Sequence, residues 1–164
     1  MRNNKQKGFS LIELLIVVAI ILIIAAIAIP NLIRSKMAAN EASAVASLRT
    51  YNTSIVAYQT TYGTDPSLDF SYLGPTAGGA VPSKTAADLV DNLLGKAAPT
   101  KSGYTFVYTP DAAPVNGVYS VYAIVATPVT ANVTGQRLFF TDQSGVIRQT
   151  TDGTVPKVTS TPIG

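Results

Sequence analysis

The sequence contains no cysteine and no histidine. Without cysteine there is no disulfide framework and no thiol chemistry, and without either residue the usual zinc and haem ligand sets cannot be assembled. The common catalytic triads fall with them. Charge is sparse too: Asp, Glu, Lys and Arg make up 13% of the chain. Arg2, Lys5 and Lys7 supply the whole net charge of +3, because beyond Gly8 nine basic residues balance nine acidic ones. No run of Lys or Arg follows those first residues, so nucleic acid is not expected as the main ligand. The lack of cysteine leaves the redox compartment open, since disulfides are permitted but not required outside the cytoplasm.

What is present is unevenly spread. From Leu14 to Ile29 there is no polar side chain, whereas the second half is rich in Thr, Ser, Gly and Pro. That half still carries enough Val, Ile, Leu, Phe and Tyr to close a core of roughly 100 residues, a size that folds alone. A positive tip followed by an apolar span is the arrangement that keeps the tip on the cytoplasmic side of a membrane.

Four regions follow. Residues 1–8 are a short basic leader ending in Gly8. Residues 9–30 are the apolar segment, roughly 30 Å long as a helix and thus matched to a hydrocarbon core. Pro30 interrupts it, and a proline inside a helix predicts a bend or a break. Residues 31–62 resume the helical period: Val45, Leu48, Tyr51, Ile55, Tyr58 and Tyr62 recur at steps of three and four on one face. Asn40, Glu41, Ser43, Ser47, Arg49, Asn52 and Gln59 fall between them and read as the wet side. Gly63 is a natural stop, with Asp65-Pro66 close behind. As one helix, Phe9 through Tyr62 would be on the order of 80 Å long, too long for the small core available, so much of it must be covered by lipid or by other chains.

Residues 63–164 read as a head. A loop rich in turn formers opens it, and within that loop "SKTAADLVDNLLG" (83–95) predicts a short helix capped at Ser83 or Thr85. From Gly103 the period changes to two. Residues 104–109, 118–126, 137–141 and 145–149 predict strands, and "TDQSG" joins the last two as a hairpin in which Gly145 accepts a positive φ. The tail adds an edge strand or stays irregular. The fold class is α+β, one long N-terminal helix laid on a small antiparallel sheet.

Three readings of the N-terminus compete. A secretory signal peptide would use Ala26-Ile27-Ala28 as its cleavage site, but the apolar stretch exceeds such a core and cleavage would sever a helix whose period continues. A plain membrane anchor makes Glu13 local helix chemistry: Ser10 and Glu13 fit a capping box, and the carboxylate meets the positive end of the helix dipole. A carboxylate this near the interface costs well below the roughly 3 kcal/mol of a mid-bilayer charge. A subunit built to polymerise is the third, and spacing alone does not separate it from the second.

The neighbouring residues favour the third. "KGFSLIELLIVVAIILIIAAIAIP" (7–30) resembles the type IV prepilin signature of basic leader, Gly, Phe, a hydroxyl residue, Leu, one residue, Glu, an apolar run and a proline. The resemblance implies that a prepilin peptidase cuts between Gly8 and Phe9, that the freed amine of Phe9 is methylated, and that Pro30 is where the helix loosens on assembly. It implies the pilin fold, a homopolymeric filament, an inner-membrane assembly platform, and passage from the inner membrane to the cell surface. Adhesion, motility or DNA uptake would be the use of the filament. A type II secretion pseudopilin is the near alternative, and a membrane-anchored binding module or DNA-uptake receptor a more distant one. Phe9 and Glu13 become assembly residues: an ionised carboxylate in a dry bundle of helices needs a partner, and a neighbour's Phe9 amine is a cation at the right place. Such a pair would set axial register, as one buried polar group does in coiled coils.

The head, with its helix, loop and sheet ending "GQRLFFTDQSGVIRQ", is similar to small-headed type IVa pilins and secretion pseudopilins but lacks the C-terminal cysteine pair of many pathogen pilins. No enzyme chemistry and no cofactor is expected. The pairs Asp65/Asp69 and Asp88/Asp91 read as surface carboxylates, the latter fitting a helix cap. Asp142 with Asp152 offers a thin calcium ligand set. The sequons at Asn52 and Asn132 are short enough to arise by chance. Tyr51, Tyr58 and Tyr62 read as helix–sheet core rather than a stacking stripe.

Overall fold

The structure is a computed structural model that describes residues 9–110 and 114–163. The leader, Gly8 included, lies outside the described residues. The chain divides into two units, Met1–Lys36 and Met37–Gly164, each described by itself. Both contain part of one helix, α1, Leu11–Tyr62.

In the first unit α1 begins at a cap. Leu14 N–H donates to the Ser10 carbonyl, and Ser10 N–H is taken by the Glu13 side chain. The apolar side chains that follow are exposed all round the helix, from Leu11 (78% exposed) to Ile33 (46%). This stretch is long and apolar enough to cross a membrane. The helix runs through Pro30 without a break. Of the bend or break expected there, the break is absent: proline costs the helix the hydrogen bond that its missing N–H would have made, but helix continues on both sides.

In the second unit α1 continues from Met37 and ends at Gly63, which takes φ +73 and returns its N–H to the Gln59 carbonyl. Of the face its period predicts, Leu48, Tyr51, Ile55 and Tyr58 are buried and Val45 and Tyr62 partly so; Ala44 joins them, and Ser47, expected on the wet side, is buried as well. It lies on a six-stranded antiparallel meander in simple order, comprising β1 Thr100–Lys101, β2 Tyr104–Pro110, β3 Tyr122–Pro128, β4 Leu138–Asp142, β5 Arg148–Thr150 and β6 Thr161–Pro162. Alternation sets the inner face of the sheet: Tyr104, Phe106 and Tyr108 from β2, Tyr122, Ile124 and Ala126 from β3, and Phe139 from β4. Tyr51 stacks on Phe70 at 3.9 Å between ring centroids and meets Phe106 edge-on at 5.7 Å. Rings of this size each contribute about 1.5–3 kcal/mol on burial, and they make the helix–sheet seam an aromatic one.

Two strands begin later than their composition suggests. β3 starts at Tyr122, not Val118, because Val118 closes a tight turn back to Val115 and Tyr119 is held by Thr64 and Asp65. β5 starts at Arg148, after the Asp142–Gly145 turn, with Gly145 at φ +71.

The helix expected over 83–95 is absent. The amides of Ala87, Asp88, Leu89 and Val90 donate instead to the carbonyls of Tyr72, Gly74, Leu73 and Leu73, so they are spent on the 3-10 turn Phe70–Leu73 and its edge. Asp88 sits at φ +56, which no helix admits. Carbonyls of this loop are met by hydroxyls from α1: Tyr51 donates to Leu94, Ser54 to Leu89 and Tyr58 to Lys84. Local helix propensity loses here to long-range hydrogen bonds that also seat Leu94 and Val90 in the core.

Candidate processing and assembly site

The N-terminal site is built from Phe9, Ser10 and Glu13. Phe9 precedes the helix and is 90% exposed. Ser10 is the cap, and Glu13 stands at the third helical position, where a side chain can fold back to the cap. It does so: Glu13 Oε2 accepts the Ser10 N–H at 2.9 Å. The expected capping chemistry is thus present on the Glu13 side. Among the described residues Oε1 makes no hydrogen bond, so the carboxylate keeps acceptor capacity for a cation or a further donor. The Ser10 N–H belongs to the peptide that follows Phe9, so a cut between Gly8 and Phe9 leaves this bond intact. From there the side chains are apolar as far as Pro30.

The second unit contains polar features of its own. Glu41, placed on the wet side of the helix by its spacing, is buried (7% exposed) and forms a clamp. Its Oε1 accepts the N–H of Gln136 at 2.8 Å and of Arg137 at 3.2 Å, and its Oε2 accepts Arg137 Nε at 2.8 Å. Arg137 also donates to Gln149 Oε1 and lies 5.4 Å over the Phe139 ring. Burial alone would raise the Glu41 pKa, but these hydrogen bonds and the guanidinium charge together lower it. The clamp ties α1 to the strands β4 and β5.

The remaining candidates resolve individually. Asp65, expected at the surface, is buried (2% exposed) at the end of α1; Asp69 instead caps the 3-10 turn through Ser71. Asp88 and Asp91 are exposed, and Asp91 receives the amides of Leu93 and Leu94, so the capping role holds although only a single turn follows. Asp142 and Asp152 are each spent on their own turn, receiving the N–H and hydroxyl of Ser144 and of Thr154 respectively. Among the described residues no group of three or more His, Cys, Asp or Glu could hold a metal ion. Asn52 is half-buried and hydrogen-bonded: its amide donates to Thr141 Oγ1 at 2.9 Å and to the Gly145 carbonyl at 3.2 Å, which makes it a structural side chain rather than a glycan acceptor. Asn132 is exposed at φ +61. Tyr51 and Tyr58 are core, with Tyr62 packed at its margin.

Comparison with known proteins bears on the N-terminal site. Residues 3–29 match the model of the prokaryotic N-terminal methylation motif. Over 41 residues the chain is 61% identical to the type IV wide pilus major component PilA4 of Thermus thermophilus, covering 25% of this chain and 30% of that protein. Over 47 residues it is 51% identical to the type IV major pilin protein PilA of Myxococcus xanthus, covering 29% of this chain and 21% of that protein. The chain spans less than a third of the length of either relative in these matches.

Proposed function

We propose, from the match to an N-terminal methylation motif together with the stretches this chain shares with two type IV pilus proteins, that this chain is a structural pilin subunit and not an enzyme. The precursor is anchored in the inner membrane by the apolar half of α1, with its basic leader on the cytoplasmic side. A prepilin peptidase cuts between Gly8 and Phe9, the Phe9 amine is methylated, and an inner-membrane platform feeds the subunit into a surface filament. The single observation that carries this reading is the motif match over residues 3–29, set on a helix whose apolar side chains are uncovered. Exposed apolar surface of this extent needs lipid or other chains around it, and a subunit that moves from one to the other satisfies the need in both places. Both relatives are pilus components, which lends the secretion-piston alternative no support.

Glu13 has a role in each environment. In the membrane it lies within a turn of the interface, bonded to Ser10 N–H, at modest cost. In a dry bundle of identical helices the carboxylate's free capacity is met by the methylated amine of a neighbouring Phe9. An ion pair removed from water is strongly favoured over either charge alone, so only the axial register that joins the two is tolerated. Apolar side chains supply adhesion without specifying that register.

Mass spectrometry of sheared surface filaments tests the proposal. The expected result is this chain as a filament component beginning at methylated Phe9. Recovery of a chain beginning at Met1 or Ile29 would remove it.

A further inference from the structure

We propose that Arg34 and Lys36 bind the phosphates of anionic phospholipids in the outward-facing leaflet of the inner membrane, and so fix how deeply the apolar half of α1 sits. This inference rests on that half crossing a membrane, which the test reads separately.

Charge marks out the span. Glu13 and Arg34 are separated by residues 14–33, whose only polar side chain is Asn31. The helix is continuous over this stretch. At the standard rise the two charged positions stand about 31 Å apart along the axis, against about 30 Å for a hydrocarbon core. With Glu13 at the cytoplasmic headgroups, Arg34 and Lys36 fall among the headgroups of the opposite leaflet.

Both cations are exposed, as are Asn31 and Ser35 beside them. Among the described residues neither forms an ion pair. No acidic residue occurs between Glu13 and Glu41, and the Glu41 carboxylate is taken by Gln136 and Arg137. The positive charge of this turn therefore has no counter-charge of its own. A step of two residues also turns Arg34 and Lys36 to nearly opposite sides of the helix. One docked protein would cover one of those sides, whereas a headgroup layer surrounds the helix and meets both. Long basic side chains lay their stems on apolar surface while their charged ends reach the interface. There the guanidinium offers a planar fork to phosphate oxygens, and the ammonium a compact point charge. Anionic lipids present that phosphate without the choline or ethanolamine cation that would compete for it. The three basic residues of the leader still outnumber these two, so the orientation set by positive charge is kept.

The arrangement resists movement both ways. Sliding inward would draw two cations into hydrocarbon, and sliding outward would draw in Glu13.

The test is solid-state carbon-13/phosphorus-31 dipolar dephasing on the full chain. The chain is labelled at the arginine guanidinium carbon and lysine Cε and reconstituted in vesicles of phosphatidylglycerol and phosphatidylcholine in equal parts. Phosphate-free buffer leaves lipid as the only source of phosphorus. The leader's Arg2, Lys5 and Lys7 can meet phosphate too, so the readout is the difference between wild type and variant. The expected result is that part of the dephased arginine signal is lost in Arg34→Gln and part of the dephased lysine signal in Lys36→Gln. Both differences shrink in vesicles of phosphatidylcholine alone. Carbonate extraction of the same vesicles reads insertion. A chain that stays with the vesicles but dephases alike in wild type and variants, or differs equally in both lipid mixtures, overturns the proposal and leaves the anchor standing. A chain that carbonate releases removes the anchor and the proposal together.

Discussion

Replacing Glu41 with alanine tests whether the clamp holds the helix to the end of the sheet. The substitution deletes one carboxylate but strands three donors: the amides of Gln136 and Arg137 and the Nε of Arg137. Breaking a fully buried pair costs about 3–5 kcal/mol. Here the Glu41 side chain is 9% exposed but that of Arg137 is 37% exposed, so water can recover the guanidinium and the cost falls toward that of the stranded amides. Each such amide costs about 1–3 kcal/mol when it is buried, and partial rehydration brings the expected total to about 2–3 kcal/mol. Glu41→Gln keeps a neutral acceptor for the two amides, but it removes the charge that strengthens all three bonds and sets its NH2, a donor, against the Arg137 Nε–H, at about 1–2 kcal/mol. The assay is equilibrium urea unfolding of the full chain in detergent, followed by tyrosine circular dichroism. A lower midpoint at unchanged slope, in the order wild type, Gln, Ala, is the expected outcome. An Ala variant within about 0.5 kcal/mol of wild type, which is the ordinary range of surface substitutions, would show that the clamp does not hold the head together.

The remaining predictions concern the head. Its stability against pH should pass through a maximum near or just below pH 4.5 and fall from there to about pH 6: Glu41, with a lowered pKa, gains its stabilisation as pH rises to its ordinary value of 4.5, whereas Asp65, raised from 3.8 to about 6, stabilises fully below 3.8 and loses that as pH rises to about 6. Unfolding free energy measured across pH 3–8 checks this, and a profile still climbing between pH 5 and 6 contradicts it. Gly95→Ala should destabilise by more than about 2 kcal/mol, since a Cβ there would lie 2.3 Å from Gly74 Cα, backbone against backbone with no side chain to yield; an unchanged thermal midpoint would refute it. Tyr51→Phe removes the hydroxyl that meets the Leu94 carbonyl at 3.0 Å and leaves that buried acceptor unpaired, at about 1–3 kcal/mol, with faster amide exchange over 89–95 as its local signature.

How far the fold was legible in the sequence depends on the range over which each element is decided. The helix face Leu48, Tyr51, Ile55 and Tyr58 and the strands at 104–110 and 138–142 were readable because period and burial coincide within a few residues. Residues 83–95 carried every local helix sign and still formed none. Their amides are claimed by Tyr72, Leu73 and Gly74 and their carbonyls by α1 hydroxyls, partners that periodicity does not reveal. Glu41 and Asn52 were assigned to the wet side because they flank the apolar stripe; their partners, Arg137 and Thr141, lie 96 and 89 residues away. Asp65 was read as a loop carboxylate because Asp-Pro after a glycine signals a turn, which is correct, whereas burial of that turn depends on Tyr119 and Tyr108 arriving from the sheet. At the N-terminus the capping pair was visible in the spacing of Ser10 and Glu13. The assembly role proposed for Glu13 was not, since spacing serves a membrane anchor equally well, and it was the surrounding motif that favoured a polymer.

A filament reconstruction at side-chain resolution addresses the pairing of Glu13 most directly. The account predicts its carboxylate within about 3 Å, the length of a charge-assisted hydrogen bond, of the methylated Phe9 amine of an adjacent subunit. A carboxylate that touches only Ser10 of its own chain, or faces open space, would contradict it.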